Sequence, residues 1–493
     1  MTTTTAMPAP ARAVTRLDWS LLKRAFLYFA VAMAIVSPFT PDPVAFAVGG
    51  AVPLVLVNLV GLPTMPMAVV YLFVWQWAQM FARALQAVFD GESMAAGMFG
   101  PDVLRAYWYM LASLVSMAVA FRFVLGRIRA PTAQEFYAHE RWRPKDMIMV
   151  YGVSLVGATI FSILGRSVGG LDQPMEAASR IKIVALFLLA TYVFTSGRGG
   201  KFLLAAIVFE ILVGFTGFLS DFRGVFIYIA IAAMAARIKW TGTATVAGLA
   251  WVGVLLALAL FWTSVKQEYR NYVTGDDEHS QAIVVSLEDR MGYLGDKFAN
   301  IGDTDWGTNA YLLLIRFAYV DIFGQVISVA DNSPPAPEAL PQWKAALGHV
   351  FQPRFLFPSK APLSDTEVFM RLTRADPFEN IRLGTSISVG YLAENFVDLG
   401  FPGMLAGTFV LGLALAWVIR YFMNQPLPWM IREGIIMGFA FSMARDGVEV
   451  SLPKVLGGMI MFFVVWALFC RYALPYAMRW LDLQAARERS KAR

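Results

Sequence analysis

The chain has 493 residues, of which 58% are hydrophobic, 15% are charged and 14% are aromatic. Soluble domains average about 45–50% apolar and 25% charged residues, so this composition excludes a soluble protein and indicates a polytopic membrane protein. The formal net charge of +6 sits in short clusters between apolar stretches, which excludes a basic face for nucleic acid. The single cysteine, Cys470, excludes a disulfide framework and a thiolate metal cluster.

Twelve apolar stretches predict an all-helical membrane fold with about twelve transmembrane helices. Nine of them lie within residues 25–264 and three lie within residues 401–477. The twelve predicted spans are residues 25–37, 44–61, 67–89, 104–125, 147–165, 183–196, 202–219, 224–236, 244–264, 401–420, 430–446 and 456–477.

Lys and Arg residues between the spans predict the orientation of the bundle, because such residues concentrate in cytoplasmic loops. Residues 1–24 form a basic lead-in, which predicts a cytoplasmic N-terminal tail. Residues 478–493 form a basic C-terminal tail, and an even number of spans returns it to the cytoplasm. The basic clusters between the spans fit this orientation at Arg127 to Lys145, Arg198 to Lys201, and Arg237 to Lys239.

Residues 265–400 predict one large extracytoplasmic region, which is far longer than any other connection. Its apolar stretch 307–330 is long enough to cross a membrane, but a crossing there would put either the C-terminal tail or the preceding loop on the wrong side. Arg316 and Asp321 within the stretch are also costly in lipid. We therefore predict a membrane-associated helix that lies on the membrane or dips into the bundle, where Arg316 faces either Asp321 or a bound anion.

Arginines at the extracytoplasmic ends of spans are candidates for anion binding, because a guanidinium pairs bidentately with phosphate. Arg223 is followed by Gly224 in a short turn, so a bulky anion can approach the backbone. Arg270 follows the ninth predicted span and lies between Tyr269 and Tyr272. The alternative for these residues is the membrane interface, where arginines snorkel to headgroups and tyrosines form an aromatic belt.

Three further candidates follow along the chain. Prolines stiffen the segment that holds Arg354 and Lys360, which then present two cations to a diphosphate or form an ordinary rigid loop. Glu394 and Asp398 are four residues apart, hence on one helical face, where one carboxylate can act as a general base toward a hydroxyl. Arg445 ends the eleventh span, where it binds an anion or pairs with a nearby carboxylate.

Together, and in this order, these motifs resemble the O-antigen and exopolysaccharide repeat-unit polymerases, the Wzy-like family. The resemblance covers roughly residues 180 to 465. The sequence departs from the family where Val397-Asp398-Leu399 intervene before the glycine that usually follows the Asn-Phe pair. The matching motifs are Arg223-Gly224, Arg270, Pro353-Arg354 with Pro358-Ser359-Lys360, Glu394-Asn395-Phe396 with Gly400 and Gly403, and Arg445-Asp446.

The resemblance implies a GT-C-like glycosyltransferase of the bacterial inner membrane. Such an enzyme transfers a growing glycan from undecaprenyl diphosphate to a sugar hydroxyl of a lipid-linked repeat unit at the periplasmic face. Membrane lipid and a chain-length-regulating copolymerase are the further partners implied, and no cofactor or metal is expected. We predict diphosphate binding by Arg223, Arg354, Lys360 and Arg445, and catalytic roles for Glu394, Arg270 and Arg316.

Two other functions remain open from the sequence. A ligase would pass a finished chain to lipid A core or to a protein by the same chemistry. A flippase or transporter of lipid-linked sugars is the alternative from a different class, although transporters tend to show inverted repeats and this chain shows none. A polyprenyl-monophosphate sugar transferase would need an acidic pair in the first outer loop, where only Asp42 is found.

Overall fold

The structure is a computed structural model that describes most of the chain. The described residues are 19–62, 64–97, 99–217, 222–275, 283–333, 339–352, 357, 359–360, 363–375, 387–444 and 447–491. Within these ranges all regular secondary structure is helical, as the sequence predicts.

The first half of the chain forms eleven α-helices in close succession. These are α1 (Trp19–Val36), α2 (Pro43–Val60), α3 (Met67–Asp90), α4 (Gly100–Leu125), α5 (Ala133–Phe136), α6 (Pro144–Ser167), α7 (Asp172–Ser179), α8 (Ile181–Ser196), α9 (Gly200–Thr216), α10 (Arg223–Ala235) and α11 (Gly242–Thr274).

Shorter helices follow α11 before four longer ones complete the bundle. A π-helical turn at Phe469–Ala473 joins the last two long helices. The helices are α12 (Leu287–Ala299), α13 (Trp306–Phe317), α14 (Asp321–Asp331), α15 (Pro341–Phe351), α16 (Asp365–Thr373), α17 (Tyr391–Met423), α18 (Trp429–Ala444), α19 (Leu452–Leu468) and α20 (Leu474–Lys491).

Each of the twelve predicted spans falls on a helix. By length and composition, eight helical segments of the described chain can cross a membrane, or nine if the bent pair α13 and α14 counts as one span. These segments indicate a membrane protein. Of the remaining predicted spans, α9, α10 and α18 are short, with 17, 13 and 16 residues.

Helix α3 is long enough to span but carries a polar stripe of Gln76, Gln79 and Arg83. The spacing of three and four residues places these side chains on one face of the helix. Tyr391 donates its hydroxyl to Gln76 Oε1 at 2.6 Å, and Arg83 forms an ion pair with Asp321 at 3.0 Å. The stripe therefore faces α14 and α17, and its polarity serves contacts inside the bundle.

Helix α17 contains a break between a short first part and a long second part. Gly400 has a φ of +60°, which a residue with a side chain adopts only with strain. Beyond the break α17 packs closely on α4, where Ser116 Oγ donates to Leu405 O at 2.9 Å. A Cβ on Gly412 would lie 3.0 Å from both Met117 and Ala120, so this glycine permits the close approach.

The C-terminal end of α11 lies beside the ends of several other helices. Tyr269 of α11 donates its hydroxyl to Thr216 O at the end of α9, at 2.8 Å. Phe215 stacks on Phe222, directly before α10, with ring centroids 4.3 Å apart. We refer to this end of the bundle as the α11 end.

The predicted membrane-associated helix near 307–330 is two helices, α13 and α14, bent by 43°. Helix α13 packs on α3 and α11, whereas α14 packs on α4 and α17. Phe317 at the end of α13 contacts Trp75 edge to face, with ring centroids 5.1 Å apart. The bend therefore lets one predicted element contact two different parts of the bundle.

Candidate functional site

Four cationic side chains lie within electrostatic range of Lys266 at the α11 end, Lys266 itself included, and we call them the cation cluster: Arg223, Lys266, Arg270 and Arg316. Arg223 begins α10, and Arg316 lies in the last turn of α13. Lys266 and Arg270 are four residues apart on α11, hence on one face. All three arginines lie close enough to Lys266 to repel its charge.

Three members of the cluster have no partner of opposite charge within the described part of the chain. Among the residues that the structure describes, no ion pair or hydrogen bond involves the side chain of Arg223, Lys266 or Arg316. The neighbouring Glu268 instead pairs with Lys297, and the hydrogen bond between them raises the pKa of Lys297. The fold thus holds like charges together at the end of a membrane helix, which favours the binding of a multiply charged anion.

Of the two partners predicted for Arg316, the structure addresses Asp321, and the bound anion stays a prediction. Asp321, at the start of α14, forms its ion pair with Arg83 of α3, at 3.0 Å. Arg316 therefore does not use Asp321 as its partner. It is exposed, and it lies close enough to Lys266 and Arg270 to repel their charges.

The two tyrosines that flank Arg270 have partners within the protein. Tyr269 is fully buried and bonds to Thr216 O, while Tyr272 stacks on Tyr293 with ring centroids 4.6 Å apart. These contacts fix the last turns of α11. Arg270 is thereby held on a rigid part of the helix.

Glu394 lies in a different environment from the cation cluster. Its side chain is buried, with the residue 2% exposed, and its carboxylate accepts the backbone N–H of Leu452 at the start of α19. Its charged neighbours are Asp365, Asp398 and Arg371. In this position Glu394 satisfies an N–H at a helix N-terminus, which a carboxylate stabilises.

Asp398 and Asp365 anchor other elements in the same way. The Asp398 carboxylate accepts the backbone N–H groups of Gln342 and Trp343 at 2.9 and 2.8 Å, at the start of α15. Asp365 accepts from Ser451 Oγ at 2.9 Å and pairs with Lys454 at 2.6 Å. We call Asp365, Glu394 and Asp398 the carboxylate network. The general-base role predicted for Glu394 stays a prediction.

Lys360 contacts the end of α15. Its ammonium group donates to His349 O and, at 2.8 Å, to Gln352 O, where a cation complements the carbonyl end of a helix. The other two residues predicted to bind diphosphate, Arg354 and Arg445, lie outside the described residues. Nowhere in the described ranges do three metal-ligating side chains come together, and the absence of a metal stays a prediction.

A cavity with polar and apolar walls, which the sequence did not predict, lies between α7, α18 and α19. Its volume is about 250 Å³, and its polar lining consists of Gln173, Glu176, Arg180, Ser442 and Lys454. Arg180 pairs with Glu176 at 2.6 Å, while its buried Nε lacks a hydrogen-bond partner among the described residues. The sequence contains a pattern that could have indicated this site, because Glu176 and Arg180 are four residues apart just before a strongly apolar helix.

Comparisons of the chain with family models, with curated proteins and with solved structures gave no match.

Proposed function

We propose that the chain is a membrane glycosyltransferase that polymerises lipid-linked repeat units of an O-antigen or exopolysaccharide. The growing glycan is transferred from undecaprenyl diphosphate to a sugar hydroxyl of another lipid-linked unit. The reaction takes place at the periplasmic face of a twelve-span protein of the inner membrane. The single observation that carries the proposal is the cation cluster.

The cation cluster suits the leaving group of this reaction. The acceptor hydroxyl oxygen attacks the anomeric carbon, the bond from that carbon to the diphosphate oxygen breaks, and the hydroxyl proton passes to a base. Negative charge develops on the departing diphosphate, and preorganised cations stabilise it more strongly than water does. Arg223, Arg270 and Arg316 belong to this cluster, and Lys266 adds a fourth positive charge.

The opposite end of the bundle supports the proposed orientation. Arg141, in the predicted cytoplasmic connection before α6, forms an ion pair with Asp482 at 2.8 Å. Asp482 belongs to the predicted cytoplasmic C-terminal tail and also accepts from Trp142 Nε1 at 2.8 Å. Two segments that the basic residues assign to the cytoplasm therefore contact one another, away from the cation cluster.

The test is the length of surface polysaccharide in cells that lack the gene and are complemented with Arg270→Gln or Arg223→Gln. We expect lipid-linked single repeat units and little polymer, with normal amounts of protein in the membrane. Arg166→Gln is the matched control, because Arg166 is an exposed arginine near the end of α6 outside the cation cluster. This control should make polymer of full length.

Three outcomes would contradict the proposal in different ways. Full-length polymer from both cluster variants would show that the cation cluster does not bind the substrate. Polymer of normal length that stays on its lipid carrier would indicate a ligase. Lipid-linked repeat units trapped on the cytoplasmic side would indicate a flippase.

A further inference from the structure

We propose that the cavity lined by Gln173, Glu176, Arg180, Ser442 and Lys454 binds an uncharged sugar ring of the lipid-linked repeat unit. This inference rests on the proposed function and extends it from the diphosphate to the glycan. It assigns the diphosphate leaving group and a sugar ring of the glycan to two separate sites at one end of the bundle.

The charges in the cavity favour a sugar over an anion. The two cations that line it are paired, Arg180 with Glu176 at 2.6 Å and Lys454 with Asp365 at 2.6 Å. An anion would approach the Glu176 carboxylate as closely as the guanidinium, so its binding would gain little. The cavity thus differs from the cation cluster, where no comparable pairing exists for Lys266.

The hydrogen-bonding groups suit sugar hydroxyls, each of which both donates and accepts. The free Nε of Arg180 is a donor, the Glu176 carboxylate is an acceptor, and the Gln173 amide is both. Phe462 and Met443 supply apolar walls. This mixture of a few directed polar groups and apolar surface is what small-molecule pockets show.

The size of the cavity limits what it can enclose. Pockets that enclose drug-sized ligands measure about 300–1,000 Å³. At about 250 Å³ this cavity is smaller, so it accommodates one sugar ring and leaves the rest of the oligosaccharide outside.

The cavity is near the cation cluster but separated from it. The Arg180 guanidinium lies 6.0 Å from the Phe441 ring, and that ring packs edge to face on Tyr228 with centroids 4.8 Å apart. Tyr228 belongs to α10, whose first residue is Arg223. Two aromatic rings therefore separate the sites. A sugar bonded directly to the diphosphate would lie on the cluster side, so the cavity takes a ring farther along the glycan.

The test measures the alkylation rate of a cysteine placed in the cavity, in the full-length protein in detergent. Ser442→Cys supplies the thiol, and Gln173→Cys is a second variant should the first fail to fold. The wild-type protein gives the background from buried Cys470. The probes are inorganic pyrophosphate and free repeat-unit oligosaccharide, released by mild acid from the lipid-linked units of cells that lack the gene.

We expect the oligosaccharide to slow alkylation at position 442 and pyrophosphate to leave it unchanged. Asn332→Cys is the control for general effects, because Asn332 is exposed at the end of α14, away from the cavity. Adding Glu176→Gln should raise the half-protecting oligosaccharide concentration about tenfold, through the loss of a hydrogen bond to a charged group. The exposed Glu367→Gln should not change it.

Two outcomes would overturn the inference. Protection by pyrophosphate would make the cavity an anion site, and no protection by the oligosaccharide would exclude a sugar site. Failure of the proposed function would look different, because the cation-cluster variants would then produce polymer of full length whatever the oligosaccharide does at position 442.

Discussion

The cation cluster and the carboxylate network differ in the burial of their charged side chains and in the partners of those side chains. Glu394 is 2% exposed and accepts a backbone N–H, whereas Arg316 is exposed and forms no ion pair among the described residues. A buried charge must have its partner within the fold, since an unpaired one is costly. The network therefore stabilises the structure, whereas Arg223, Lys266 and Arg316 remain available for a ligand.

This difference separates stability from activity. Functional sites commonly retain arrangements that lower stability because the ligand requires them. Like charges around Lys266 repel one another until an anion binds, so their removal should harm activity more than folding. Removal of a network carboxylate should do the reverse.

The largest effect is expected from the double variant Arg270→Gln with Arg316→Gln. Each lost hydrogen bond to a charged group costs about 1.5–3 kcal/mol, so the rate of polymer formation should fall by about a thousandfold. The melting temperature should stay the same or rise, because repulsion within the cluster falls. The rate is measured with lipid-linked repeat units in membrane vesicles, beside the Arg166→Gln control. A lower melting temperature together with the loss of activity would mean that the cation cluster stabilises the fold.

The next effect concerns Glu394. Glu394→Ala leaves the Leu452 N–H without its acceptor and opens a cavity, so the free energy of unfolding should fall by about 3 kcal/mol. Glu394→Gln keeps an oxygen that accepts this N–H and should retain most of the stability. Unfolding of the purified protein in detergent, followed by tryptophan fluorescence, measures both.

Glu394→Gln also tests the predicted general base. If Glu394 only anchors α19, this variant should make polymer at a near-normal rate. A stable Glu394→Gln protein that makes no polymer would show that the carboxylate itself takes part in the reaction. Glu394 would then have a functional role and not only a structural one, unlike the rest of the carboxylate network.

The sequence predicts the helices well because a long apolar stretch is a local signal. It also singles out Arg223, Arg270 and Arg316 one at a time, as cations next to predicted spans. The proximity of these three arginines depends on the packing of α10, α11 and α13, which no local pattern specifies. Lys266 was missed although it is four residues before Arg270, because it follows the predicted end of the apolar stretch as one more ordinary charge.

The contacts of the carboxylate network could not be predicted from the sequence. The spacing of Glu394 and Asp398 correctly places them on one helical face, but their partners lie far away along the chain, at Leu452 and at Gln342. A carboxylate that caps a remote helix and one that awaits a substrate have the same local sequence. No local pattern predicts the cavity between α7, α18 and α19 either, since its lining residues come from three helices that are distant in the sequence.

The third effect concerns the opposite end of the bundle and depends on pH. His139 is fully buried beside Thr195, with 3.0 Å between Nε2 and the hydroxyl oxygen, and burial lowers its pKa to about 4. Above pH 6.5 both the folded and the unfolded protein hold it neutral, so it adds no pH dependence. Below pH 6.5 the unfolded chain binds a proton that the folded protein does not, and stability falls until the pH reaches about 4.

Between pH 6.5 and pH 5.5 this loss amounts to about 1 kcal/mol. Chemical unfolding in detergent at the two pH values measures it. His139→Gln should remove most of the difference, whereas the cation-cluster variants should leave it unchanged. An equal pH dependence with and without His139 would assign the titration to other groups.

The smallest effect tests which arginine holds the start of α14. Asp321 pairs with Arg83, and its side chain is 51% exposed, so the pair should contribute about 1 kcal/mol or less. A double-mutant cycle of Arg83→Gln with Asp321→Asn should give a coupling energy of that size, measured by unfolding in detergent. The parallel cycle of Arg316→Gln with Asp321→Asn should be additive, since no ion pair joins these two described residues. Coupling in the second cycle alone would make Arg316 a paired residue, and the cation cluster would lose the charge that most clearly distinguishes it from the carboxylate network.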